Sequence, residues 1–157
     1  MLKKIIWFIR ALLKVKSEKL RVCGKVRLIG HNKDGSLAFD FERPNLITNA
    51  GFDLICNQIG LKDAQPVAVA CMAISNGAVG GADAEALAAT ETHRVAATYA
   101  HTHGTKIFTL TGTFTTVVAA VSYGCLNAAA NGELLNTAGF TAITVDSLQI
   151  IMTGTLS

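Results

Sequence analysis

Hydrophobic and polar positions alternate with a period of two along much of the last third of the chain. Phe108, Leu110 and Phe114 are interleaved with Thr109, Thr111, Thr113 and Thr115, and Leu148, Ile150 and Met152 with Gln149, Ile151 and Thr153. Alternation in residues of this kind predicts half-buried antiparallel strands. Asn131-Gly132 lies between them; this dipeptide supplies two residues at positive φ and predicts a tight hairpin. Near the start, Arg21 to Ile29 alternates basic and apolar residues, Asn32-Lys33-Asp34-Gly35 predicts a turn, and Leu37 to Phe41 alternates again. That is a hairpin with a largely basic polar face, ended by Pro44, which has no N–H to give to a ladder. Between these β regions, Phe52, Leu54, Ile55, Cys56 and Ile59 recur at helical spacing, with Thr48 or Asn49 to cap the helix and Gly60 to stop it. Val67 to Ile74 reads as a buried strand, Ser75 to Gly81 as a loop, and Asp83 to Thr92 as a short helix or structured loop. The first residues have yet another period: Leu2, Ile5, Ile6, Ile9, Leu12 and Leu13 fall on one side of a helix, with Lys3, Lys4, Arg10 and Lys14 mostly on the other.

The fold class expected is mainly β, an antiparallel β-sandwich or jelly-roll-like domain with one short internal helix and a basic N-terminal helix or arm. The arm covers residues 1–21 and the β domain residues 22–157, divided into a hairpin (22–44), a short helix (45–60) and a main sheet region (66–157). A chain of 157 residues, 50% apolar and 16% charged, is long enough to bury a core and too hydrophobic to be globally disordered. Charge sharpens the division. Residues 1–43 carry a net +7 and residues 44–157 a net −4, which together make the chain's +3. A basic head on a mildly acidic body can bring one subunit's head to another's body. The Met-Leu-Lys-Lys start imitates a secretory signal, but Arg10 interrupts the apolar run and no small-residue cleavage site follows. The four cysteines, Cys23, Cys56, Cys71 and Cys125, have no metal-finger spacing and sit among apolar neighbours, which predicts buried free thiols.

The sequence offers little to a catalytic reading. It contains no G-x-S-x-G, P-loop, H-E-x-x-H or dinucleotide glycine pattern. Glu91, Glu133 and Asp146 are far apart in sequence, each near a turn or element end where a solvated acid or a cap is the ordinary role. One constellation suggests metal chemistry. His101-Thr102-His103 would present two imidazoles on one face if it were a strand, and three copies around a threefold axis would bring six nitrogens together. Against this, Gly104 and the polarity of Tyr99 to Gly104 favour a loop with solvated histidines. No cofactor is expected.

The order of short motifs resembles a family of small tailed-bacteriophage virion proteins. The resemblance is carried by Asn45-Leu46-Ile47-Thr48-Asn49-Ala50-Gly51, a strand entering Ser75-Asn76-Gly77, Glu91-Thr92-His93-Arg94-Val95, Leu126-Asn127-Ala128-Ala129, Gly132-Glu133-Leu134-Leu135, Phe140 and Asp146-Ser147-Leu148. It spans Gly24 to Ser157. It implies a non-enzymatic structural protein, made in the host cytoplasm and placed in the virion. Such a protein would form a homo-oligomer and contact other virion proteins as a head-decorating or cement protein or as a tail or fibre component. The residues expected to carry assembly are Lys3, Lys4, Arg10, Lys14, Lys16, Lys19 and Arg21, with Trp7 and Phe8 as apolar anchors. The arm is expected to dock on a neighbouring protein. Its apolar stripe is unsuited to nucleic acid, so no direct nucleic-acid recognition is expected. A membrane surface is the competing partner for the stripe and is not favoured. The alternative function is a glycan- or host-surface-binding module of a tail fibre; the scarcity of aromatics, one Trp and two Tyr, tells against it.

Overall fold

The structure, a computed structural model, describes residues 21–61, 63, 65–84, 87 and 91–157. The expected N-terminal helix and half of the expected element at 83–92 lie outside these residues. In chain order the elements are β1 (Val22–His31), β2 (Leu37–Pro44), β3 (Leu46–Ile47), α1 (Asn49–Gly60), β4 (Cys71–Ser75), β5 (Glu91–Ala96), β6 (Thr98–His101), β7 (Ile107–Leu126) and β8 (Leu134–Leu156). All eight strands join one antiparallel sheet in the order β2-β1-β8-β7-β4-β5, with β3 beside β8 and β6 beside β7. The protein is mainly β, as the alternation predicts.

β7 and β8 form the spine, since every other strand except β2 and β5 pairs directly with one of them. β1 lies along Ser147–Leu156 of β8, whereas β3 pairs with Asn136 and Thr137 near its start. Likewise β6 pairs with Phe108–Thr111 of β7 and β4 with Ser122–Leu126. The spine is sharply bent. Thirteen residues of straight strand separate Gly112 from Cys125, about 43 Å at the usual rise. Yet a Cβ on Gly112 would lie 2.9 Å from the sulfur of Met72, whose ladder partner is Cys125. The bend sits where the β7–β8 register shifts, between Val117 and Ser122, beside Thr116 (φ 55°) and Ala119 (φ 50°). Extra residues in one strand kink the ladder and change which side chains face inward. Before the bend Leu110 and Phe114 are buried; after it Val117, Ala120, Tyr123 and Cys125 are. These residues, with Val26, Leu28, Met72, Ile74, Leu148, Ile150 and Met152, make a single core cluster. A smaller cluster of Ala73, Leu87, Leu126 and Leu134 covers the other face beyond the bend.

The expected hairpin at 22–44 is present, and its turn closes through Gly35 (φ 82°), whose N–H donates to Asn32 O at 2.9 Å. Its basic face is a correction to the sequence reading. Lys25 pairs with Glu42 at 2.9 Å and Arg27 with Asp40 through an Nε–Oδ1 bond of 2.7 Å. Basic residues of β1 thus meet acidic residues of β2 on the diagonal, so the face is locally neutralised. The buried strand is also shorter than expected. β4 starts at Cys71 because β7 ends at Leu126, the residue opposite it, which leaves Val67 without a ladder and 69% exposed.

Helix α1 starts and stops where its caps dictate. Thr48 is the N-cap, accepting from Gly51 N at 2.9 Å, and the helix ends at Gly60. Thr48 is fully buried and also donates through its hydroxyl to Leu134 O, while its backbone N–H donates to Leu135 O at 3.1 Å. One side chain therefore caps the helix and ties it to the start of β8. Gly51 completes the joint, since a Cβ there would lie 2.1 Å from Leu135 O.

Candidate functional site

Helix α1 sits over the sheet without covering it completely. Between Leu54, Ile55 and Ile59 on the helix and Tyr99, Phe108 and Leu156 on the strands runs an apolar groove with a volume of about 570 Å³. Its aromatic wall is built by a cross-strand pair. Gly154 faces Phe108 in the β7–β8 register, and a Cβ on it would be 2.3 Å from the Phe108 ring, so the glycine makes room for the ring to lie flat on the strand. Tyr99 then stacks on Phe108 with centroids 6.3 Å apart and planes at 28°. The rim is unusually apolar. Ile59 is 74% exposed and Tyr99 61%, and Leu61, the residue after α1, and Val67, the residue before the lining pair Ala68 and Val69, are exposed as well. Among the described residues, Gln58, Asn136 and the Tyr99 hydroxyl bring polar side-chain groups to the groove lining.

Asn136 belongs to a buried polar relay beneath the groove. Asn45 Nδ2 donates to the Tyr123 hydroxyl at 3.4 Å, which donates to Asn136 Oδ1 at 3.0 Å. Tyr123 and Cys125 are completely buried. Loss of solvent pushes the Tyr123 phenol well above its usual range, with the neighbouring Cys125 adding to the rise. The same desolvation raises the Cys125 thiol, opposed only in part by Asn136. Both groups are held neutral, the ordinary state of an unpaired acid in an apolar interior. Their burial makes them parts of the core and not reactive groups.

The expected site residues fall in three places. Lys3, Lys4, Trp7, Phe8, Arg10, Lys14, Lys16 and Lys19 lie outside the described residues. Arg21 is described, and it belongs to the sheet: its N–H donates to Ser157 O at 2.7 Å and its C=O accepts from Ser157 N at 3.0 Å. His101 ends β6 and His103 lies in the turn beyond it, beside Gly104 at φ 79°. The two imidazoles are therefore not successive same-face residues of one strand. His101 Nδ1 is 2.8 Å from Ile107 O, and both histidines are exposed. Among the described residues no three His, Cys, Asp or Glu side chains cluster as metal ligands.

The cysteine expectation holds for half of the set. Cys71 and Cys125 are buried, while Cys23 and Cys56 are exposed, because the first falls on the outward phase of β1 and the second on the outer side of α1. The three acids singled out from sequence stay apart. Glu91 pairs with Arg94 at 2.6 Å, and Glu133 Oε2 accepts from Asn127 Nδ2 at 3.0 Å. Asp146 is exposed within β8. Arg94 also donates to Ala128 O and Asn131 O, both at 2.7 Å, and so ties β5 to the β7–β8 connection. That connection spans residues 127–133 and is longer than the tight hairpin expected, although Asn131 (φ 55°) and Gly132 (φ 84°) take the positive φ values that the dipeptide predicts.

Sequence reasoning did not find the groove. Its lining comes from β1, β3, α1, Ala68 and Val69, β6, β7 and β8, and the signal available in the sequence was the apolar spacing at 52–59, of which Phe52, Cys56 and Ile59 are exposed. Among the described residues, no helix is long and apolar enough to cross a membrane. Compared with protein-family models, with curated proteins and with solved structures, the chain matches none.

Proposed function

We propose that the chain is a structural protein of a tailed-bacteriophage virion, which assembles with copies of itself and with other capsid or tail proteins as a head-decorating or tail or fibre component. In this reading it is made in the host cytoplasm, carries no cofactor and catalyses nothing. The observation that supports it is the exposed apolar surface at the groove beside α1, where Ile59 and Tyr99 of its lining stand largely in solvent. An apolar groove with exposed apolar side chains at its edge is the kind of surface that partner proteins cover. We further propose that the bent sheet works as a sandwich, its two ends facing one another across the core with α1 closing one side. Basic residues of the arm then supply charge complementary to the acidic body of a neighbouring subunit.

A glycan-binding module is the second reading, and the exposed stack of Tyr99 on Phe108 favours it. The groove, however, offers few polar groups to a ligand made of hydroxyls. Mass spectrometry of particles purified from cells infected by a phage encoding the chain tests the proposal. The chain should co-purify with the major virion proteins through density-gradient separation; recovery only in the soluble lysate would overturn the reading.

A further inference from the structure

We infer that α1 is a self-association surface: two copies of the chain meet through this helix, antiparallel about a twofold axis at Cys56, with Phe52 of each copy seated over Gly60 of the other. The contact forms between isolated chains and does not depend on the virion reading, which recovery from particles tests separately. Two observations carry it. The first is that α1 is apolar on the side it turns to solvent as well as on the side it buries. Gly51 and Leu54 are buried, whereas Phe52, Cys56 and Ile59, at spacings of four and three, are all exposed, and Asp53 is the helix's one charged residue. A helix that is apolar all round is ordinarily covered all round. The second is that Gly60 has no use within the chain. It is the last residue of the helix, yet it does not take the positive φ for which glycine is usually kept at a helix end. A Cβ on it would meet nothing within 4 Å among the described residues. Glycine in a helix destabilises relative to alanine, so a side chain missing without local cause points to a close approach from outside.

The two observations fit each other. Phe52, Cys56 and Gly60 are every fourth residue and make one row along the helix: a large side chain, a small one and none. Phe52 and Gly60 lie equally far from Cys56, about 6 Å of helical rise on either side. A row that falls in height in this way complements itself when reversed. Laying two such rows against each other antiparallel crosses the helices at about 50°. It sets Cys56 against Cys56 and each Phe52 ring over the bare backbone of Gly60 in the second copy. Because the ring leans toward the start of its own helix, it also reaches Leu61 of the second copy, which is 41% exposed. The match is isologous, so a second copy is the partner the row fits. Asp53 lies three residues before the axis, which puts the two copies' carboxylates on opposite sides of it and keeps like charges from meeting. One crossing of two short helices buries less than the roughly 1,200 Å² of a standard interface, so the association is weak and reversible.

Sedimentation of the full chain across the micromolar range tests the contact, in a Cys23→Ser background that leaves Cys56 as the exposed thiol. A reversible monomer–dimer equilibrium is expected. Copper phenanthroline should then link the dimer through Cys56, since helix axes about 8–10 Å apart bring facing Cα atoms within reach of a disulfide. Gly60→Leu fills the hollow and should raise the dissociation constant about tenfold or more. The position is open and leucine favours helix, so the fold is spared. Phe52→Ala removes the knob and should weaken the dimer in the same way. Combining the two moves the knob to the other end of the row and should restore association, a recovery that damage to the fold cannot imitate. Four outcomes would overturn the inference: a chain that stays monomeric throughout the series, a dimer that Cys56 does not link, a Gly60→Leu variant that dimerises like its parent, and a double variant that associates no better than either single one.

Discussion

Gly51 shows how closely single side chains are fixed in this molecule. Its hydrogen stands where a methyl group would strike Leu135 O at 2.1 Å, and backbone cannot swing aside as a side chain can. Gly51→Ala should therefore lift α1 from β8 and cost about 1–3 kcal/mol, read as a lower urea midpoint. Burial decides reactivity in the same way. In the native protein a thiol reagent should label Cys23 and Cys56 and spare Cys71 and Cys125, with all four labelled in denaturant; fast labelling of Cys125 in the folded chain would contradict its placement. The buried phenol sets a pH dependence. Since the folded pKa of Tyr123 lies above its ordinary 10.0, its stabilisation is complete below that value and is lost as the pH rises past it. Thermal melts should fall above about pH 10, and Tyr123→Phe should flatten that fall. At neutral pH the same variant should lose about 1–3 kcal/mol, because it leaves Asn136 Oδ1 without its donor.

Among the elements, the bend of β7 is where sequence and structure part. Period-two alternation made Phe108 to Thr115 legible as a strand, and the Thr48 cap and Gly60 stop marked the ends of α1, although the segment read as helix, 45–60, opens with β3. Nothing local marked Thr116 and Ala119 for positive φ, because neither is a residue that adopts it readily. The bend brings β4 and β5 onto the first half of β7, where Met72 and Val95 lie against Gly112, a contact far apart in the sequence. Ala119 is exposed, and its N–H donates to Thr144 Oγ1 at 3.1 Å. Ala119→Gly should thus keep that bond and relieve the backbone, raising stability by about 0.5–1 kcal/mol, whereas Thr116→Val should lower it. A loss of stability in the glycine variant would mean that the bend is not strained. The groove was illegible for the related reason that its walls are brought together by long-range pairing, which no window of sequence displays.

At the scale of the whole molecule, the pairing is dominated by partners far apart in the chain, since β1 at 22–31 lies against β8 at 147–156. The earliest strand has no neighbour on that side until the last has been made, so refolding from denaturant should be slow, in the millisecond-to-second range, with no stable native-like hairpin from residues 22–44 alone. Stopped-flow refolding in microseconds would argue against this topology. The same seam has a mechanical meaning. Arg21 and Ser157 close it with a pair of hydrogen bonds, side by side and pointing out of the same end of the sheet. Tension applied between those two residues would load the β1–β8 ladder one bond at a time, like a zipper, whereas tension across two distant loops would shear many bonds at once. A chain pulled through Arg21 and Ser157 would therefore yield at low force, whereas one loaded across the faces of the sheet would hold.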